Sequence, residues 1–354
     1  MEIFRGTVSR RCSQKVRITG NKIVLFIIIV IASLLFTKYY FLFTHEYYEP
    51  ASSERMAEFT ADKVFQKRIL SILLAKCTVV FTGLSLDQSL KVWCVLSCIA
   101  MLYGFRALLS ETNQINLPGV ELLLLLPVAW NYIVLNGIYH SYDIPTLAFY
   151  SWGIVLFLRR RYNSFYLLYI LASLNRESSC FITITIFALL LNTQAIKHTP
   201  FRFTNIWKEN YFLFINCIGQ AAIWICIKSC LEYTFRENSG TFYEDTFSMR
   251  QFIENAWSNK PSWPYLNTDS FVGNPRCFVT LFGCIWILFP FVWKYIPIHQ
   301  KKFLWIIPPF LIAALLYANL METRVYHELN IVLSITIFSG LINFINSLIK
   351  KPLK

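Results

Sequence analysis

Residues 163–192 read NSFYLLYILASLNRESSCFITITIFALLLN, apolar at both ends with Asn175-Arg176-Glu177-Ser178-Ser179 at the centre. A helix that crosses a hydrocarbon core of about 30 Å needs about 20 residues. The run is too long for one ordinary span, and an ionisable pair at its middle is costly in lipid. It reads as a helical hairpin or a broken helix that turns at 175–179. That turn sets how the rest of the chain is threaded.

The rest of the chain has the same character. Its 354 residues are 56% hydrophobic, 17% aromatic and 15% charged, with mean hydropathy +0.47. Soluble domains carry about 25% charged residues, so a water-soluble globule is excluded. Apolar runs of span length recur at 23–43, 88–107, 118–136, 144–158, 210–231, 277–295, 302–320 and 328–349. The expectation is an all-α polytopic transmembrane bundle of about 9–10 spans. The run 23–43 is long and lacks a small-x-small cleavage site, so it reads as an uncleaved first span rather than a signal peptide. The ten cysteines form no CxxC pair and no Cys/His spacing for zinc, and mostly lie singly in apolar stretches.

The net charge is +13, but the basic residues sit in short clusters between apolar runs. That pattern reports membrane orientation and argues against a nucleic-acid face. The clusters are the segment 1–22, Arg159–Arg161, Lys197 with Arg202 and Lys208, Lys301-Lys302, and Lys350-Lys351 with Lys354. All fall on the cytoplasmic side if 163–192 turns back and Ile69–Ser85, short and interrupted by Lys76, lies in the outer interface. The expected organisation is a basic cytoplasmic segment 1–22, one integral-membrane domain 23–349 and a basic cytoplasmic tail 350–354. The outer side then gathers the loops 44–87, 136–143, 175–179, 232–274 and 321–328. The first of these carries an interfacial amphipathic helix. An inner cell membrane and an endoplasmic reticulum both fit this orientation.

Charges at membrane depth point to function. Arg176 is suited to bind a phosphate or carboxylate, with Glu177 orienting it or acting on substrate and Asn175 beside them. The bland alternative is a self-neutralising pair at a helix break. Glu322, Arg324, His327 and Glu328 lie between the last two spans, Arg324 and Glu328 at i,i+4; the alternative there is a cap with surface ion pairs. Asp143 stands at the mouth of a span, two residues before Pro145, where a plain N-cap explains it equally well. In the first outer loop Glu46, Glu49 and their acidic neighbours are candidates to deprotonate a hydroxyl or hold a divalent cation. Arg68 is placed to anchor to lipid phosphate or to pair with Asp143 or Glu177. There is no Walker A loop, GxGxxG, GxSxG or HExxH motif, and no metal-ligand set stands out.

A first span, a long acidic outer loop with an amphipathic helix, and short outer loops bearing isolated Asp, Glu and Arg together resemble the GT-C superfamily of membrane glycosyltransferases. The strings Phe65-Gln66-Lys67-Arg68-Ile69-Leu70, Tyr142-Asp143, Asn175-Arg176-Glu177-Ser178 and Glu322-Thr323-Arg324 carry the likeness. The first loop departs from the family's Asp-x-Asp or Glu-x-Asp motifs, since His45-Glu46-Tyr47-Tyr48-Glu49 offers only spaced glutamates. The resemblance implies a polyprenyl-phosphate sugar donor and a glycan or lipid acceptor on the outer or lumenal membrane face, with membrane lipids around the chain. It also implies Arg176 and Arg324 on the leaving phosphate, and one of Glu46, Glu49 or Asp143 as base, with inversion. Competing readings are a transporter or flippase for an anionic or lipid-linked substrate, another envelope polysaccharide transferase or polymerase, and a non-catalytic scaffold.

Overall fold

The backbone breaks at Arg176. In the computed structural model, which describes residues 22–46, 49–113, 117–135, 138–191, 203–240, 280–317 and 326–349, Arg176 is extended (φ −161°, ψ 148°) between two helices. The helix α8 (Tyr162–Asn175) precedes it. The 3-10 turn Glu177–Ser179 and α9 (Cys180–Leu190) follow. Ser and Asn side chains compete with helical backbone bonds and favour such breaks. Across the turn the Ser173 and Ser179 hydroxyls lie 3.1 Å apart, and those of Tyr169 and Thr183 3.0 Å apart. These pairs are spaced evenly about residue 176, so the two helices are the limbs of a hairpin.

Ahead of the hairpin come α1 (Lys22–Phe43), α2 (Ser53–Glu58), α3 (Lys63–Gln66), α4 (Leu70–Thr82), α5 (Leu86–Asn113), α6 (Leu125–Ala129) and α7 (Asp143–Leu158). After it come α10 (Phe203–Thr234), α11 (Ile307–Tyr317) and α12 (His327–Ile349). The stretches Val120–Val134 and Leu281–Tyr295 are shorter apolar helices built partly of 3-10 or π turns. Among the described residues, four helices are long and apolar enough to cross a membrane: Ile23–Phe43, Leu86–Thr112, Asn210–Thr234 and His327–Ile349.

The centre of the bundle is the pairing of α5 with α7. Gly104 permits it, because a Cβ there would sit 2.9 Å from the Trp152 ring. The same indole donates to the Ala100 carbonyl at 2.8 Å. On the far side Asn131 ties two segments together, accepting from the Phe282 backbone at 2.7 Å and donating to Asn330 of α12 at 3.2 Å.

Within 69–85 the helix α4 (Leu70–Thr82) packs against α5. Trp93 donates to Thr78 at 2.8 Å, and Lys76, the residue that interrupts the apolar run, donates to the Ala57 carbonyl near the end of α2 at 2.6 Å. A cation at a helix C-terminus is favourable, so α2 accounts for that lysine. Gly83 ends α4 with φ 72°, a left-handed conformation that glycine adopts at low cost.

The bundle has two polar ends. At one, Arg159 pairs with Glu111 at 2.7 Å, His299 meets the Thr112 carbonyl, and Lys302 donates to the Leu191 carbonyl at 2.9 Å. At the other, the hairpin turn meets the starts of α4, α7 and α12 and, through Trp224 and Lys228, the C-terminal half of α10, while Tyr40 in the last turn of α1 reaches Asp143. That end holds the candidate site.

Candidate functional site

Asn175, fully buried, joins three elements. Its side-chain oxygen accepts from Ser71 of α4 at 2.7 Å, and its amide donates to the Tyr142 carbonyl and the Thr146 hydroxyl, both at 3.0 Å. Because α8 ends at Asn175, this amide lies where the chain reverses and locks the turn against the start of α7.

Asp143 opens α7 and is fully buried. The N-cap position belongs to Tyr142, whose side chain makes no capping bond. The Asp143 carboxylate is therefore not consumed in capping, although its charge still suits the helix N-terminus. It points at three groups from three other elements. Tyr40 of α1 donates to Oδ2 at 3.2 Å; Arg176 Nη1 lies 3.5 Å and His327 Nε2 3.3 Å from Oδ1. His327 is itself fully buried and tilted over the Tyr132 ring at 4.9 Å, and among the described residues neither ring nitrogen makes a hydrogen bond.

Glu177 holds the second half of the cluster. Arg68 donates to it at 3.0 Å, Lys228 of α10 approaches at 3.3 Å, and Trp224 donates to its backbone carbonyl at 2.8 Å. Arg68 also donates to the Tyr142 hydroxyl at 2.6 Å. The Tyr142 ring lies between cations, with Arg68 at 4.7 Å and Arg176 at 5.6 Å from its centroid. His140 stacks between Tyr142 and Phe65 at 5.2 and 5.6 Å. Burial opposes the charge on Arg68, but the Tyr142 oxygen and the Glu177 carboxylate outweigh it and hold the guanidinium above its ordinary range. Burial pushes the Tyr142 phenol up to about 12, with Arg68 and Arg176 pulling the other way.

Glu328 is 1% exposed, and among the described residues neither carboxyl oxygen has a hydrogen-bond partner. It lines a small cavity of about 10 Å³ with Arg176, Thr146, Tyr150 and Ser179, the space of one water. Arg176 thus stands between two buried carboxylates, touching Asp143 and facing Glu328 across the gap. Buried polar groups are expensive unless paired, so the Glu328 carboxyl is a costly group to hold at this end of the bundle.

Of the residues singled out from sequence, Asp143, Glu177, Arg68, Asn175, Arg176, His327 and Glu328 come together here. The first-loop glutamates do not join them through any contact of their own. Glu46 accepts from the Ser53 backbone at 3.0 Å and from its hydroxyl, and Glu49 forms an exposed ion pair with Arg55 at 2.5 Å. Glu322 and Arg324 lie outside the described residues, as do 241–279 of the large loop, the segment 1–21 and the tail 350–354. Among the described residues no group of three His, Cys, Asp or Glu is arranged to hold a metal.

Three partners were not anticipated. Lys228 carried a signal, since a lysine inside the apolar run 210–231 invites the question of its counter-charge. Tyr40 and Ser71 carried none, being ordinary residues of apolar helices until the fold turns them inward.

Comparison with family models, with curated proteins and with solved structures finds no match to this chain.

Proposed function

We propose that the chain is an integral-membrane glycosyltransferase that moves a sugar from a polyprenyl-phosphate donor to a hydroxyl acceptor. The observation that carries the proposal is Asp143, a fully buried carboxylate free of any capping role, with Tyr40, His327 and Arg176 3.2–3.5 Å away. In the reaction Asp143 takes the acceptor proton as the acceptor oxygen bonds to the anomeric carbon. The bond from that carbon to the phosphate oxygen breaks, and the electron pair leaves with the phosphate, giving inversion. Arg176 and Arg68 offset the charge gathering on the leaving group. Arg324 belongs to the same role in this proposal.

The test is transfer from a radiolabelled polyprenyl-phosphate sugar by the purified chain in liposomes. General-base removal costs about 10²–10⁴-fold, so Asp143→Asn is expected to lose transfer on that scale while Glu49→Gln keeps it. Full transfer by Asp143→Asn removes the assignment.

A carrier for an anionic or lipid-linked substrate is the second reading. It draws on the hairpin break, since interrupted helices with charged residues at the break also build transporter sites. Gradient-dependent uptake without consumption of lipid-linked sugar favours the carrier.

A further inference from the structure

A groove of about 510 Å³ opens between α1 and α5 on a face of α1 other than the one that carries Tyr40 to Asp143. That volume is within the range of ligand sites. Leu34 on α1 and Val92 and Val95 on α5 make its apolar wall, and Thr37 closes the floor against Cys94 at 3.5 Å. Lys38 and Lys91 also line it, and the Lys91 ammonium lies 5.4 Å from the centroid of the Phe41 ring.

Lys38 is the only charged residue between Ile23 and Phe43. Its side chain is exposed, and among the described residues no carboxylate pairs with it. A lysine so placed in an apolar helix lays its stem along the hydrocarbon and carries its ammonium to the level of lipid headgroups. Lys91 is already paired with Asp87 at 2.6 Å. Lys38, Lys91 and Asp87 together therefore leave one net positive charge beside an apolar channel.

We propose that this groove binds an anionic phospholipid of the surrounding membrane. Its phosphate lies between Lys38 and Lys91, and one acyl chain runs along Leu34, Val92 and Val95. A zwitterionic lipid fits less well, because its own ammonium would face Lys38. The site is independent of the transferase assignment, since it lies on another face of α1 and shares no residue with the Asp143 cluster.

The experiment is native mass spectrometry of the full chain in mild detergent, offered phosphatidylglycerol and phosphatidylcholine of identical acyl chains. Wild type is expected to retain phosphatidylglycerol in preference. A lysine near the surface is worth about 1 kcal/mol towards an anionic lipid, or about fivefold. The Lys38→Gln, Lys91→Gln double variant is therefore expected to lose about thirtyfold, and Lys38→Arg to keep the preference. Val95→Trp, which fills the channel and leaves both lysines, is expected to lose the lipid as well. Size exclusion and far-UV circular dichroism establish that each variant is folded. Equal retention of the two lipids by wild type, or unchanged retention by the double variant or by Val95→Trp, overturns the proposal. Displacement of phosphatidylglycerol by an equimolar polyprenyl phosphate also overturns it, by reassigning the groove to that lipid.

Discussion

Arg68 and Glu177, separated by 109 residues of chain, form an ion pair at 3.0 Å that ties the segment before α4 to the hairpin turn. The same guanidinium reaches the Tyr142 hydroxyl. One side chain thus connects three elements at the polar end of the bundle.

Arg68→Ala is expected to destabilise the chain by about 2–3 kcal/mol, since hydrogen bonds to charged groups contribute about 1.5–3 kcal/mol and Arg68 makes one such bond and donates another. The loss stays below that of a fully buried pair, because Glu177 is part exposed and keeps Lys228. Thermal unfolding in detergent measures it. A melting temperature equal to wild type means that the pair contributes nothing.

Asn175→Ala removes the acceptor of Ser71 and one of the bonds of the Tyr142 carbonyl and of the Thr146 hydroxyl, which stay bonded to each other at 2.7 Å. Each buried group left unpaired costs about 1–3 kcal/mol. Asn175→Ala loses three buried bonds where Arg68→Ala loses two part-buried ones, so it is expected to be the more damaging, and Ser71→Ala, which loses one bond, much milder. Relative yields of folded protein and unfolding temperatures order the three variants.

Gly340→Ala is expected to destabilise by about 1–3 kcal/mol through overpacking. A Cβ there would lie 2.8 Å from Ile296 and 2.9 Å from Val292, both of which sit in the core under α12. Gly83→Ala strains the backbone instead, because that residue has a positive φ with open space around it. In a double-mutant cycle read by melting temperature, Ile296→Ala, which removes the Cγ1 atom 2.8 Å away, is expected to cost less in Gly340→Ala than in wild type, and as much in Gly83→Ala as in wild type.

The two polar ends are expected to face opposite sides of the membrane. Single cysteines at Glu54 and Ser239, beside the cluster, and at Arg161 and Ile298, at the other end, test this with an impermeant thiol reagent on sealed vesicles. The native cysteines are replaced first. The first pair should label from one side and the second from the other. Labelling of all four from one side breaks the threading.

Much of this architecture is local and so was legible. A run of apolar residues makes a helix wherever it sits, and Asn175 to Ser179 interrupt one by chemistry carried within five positions. That is why the hairpin turn, the helix over 70–82 and the gathering of Asp143, Arg176, Glu177 and Arg68 at one end follow from hydropathy and charge placement. The shorter stretches 120–134 and 281–295 were less legible. Their apolar composition fits a span, but 3-10 and π turns shape them to fit around Asn131.

The sequence by itself determined that the chain is helical, apolar and charged mainly at the ends of its runs, because those properties depend on neighbours along the chain. Only the tertiary structure decided the partners. Asp143 faces Tyr40, Arg176 and His327 rather than capping its own helix, Glu177 takes Arg68 and Lys228, and Glu46 and Glu49 stay in local contacts. The physical reason is distance: a charge pair is worth something only within a few ångströms. Groups up to about 180 positions apart in sequence come that close only once the helices have packed.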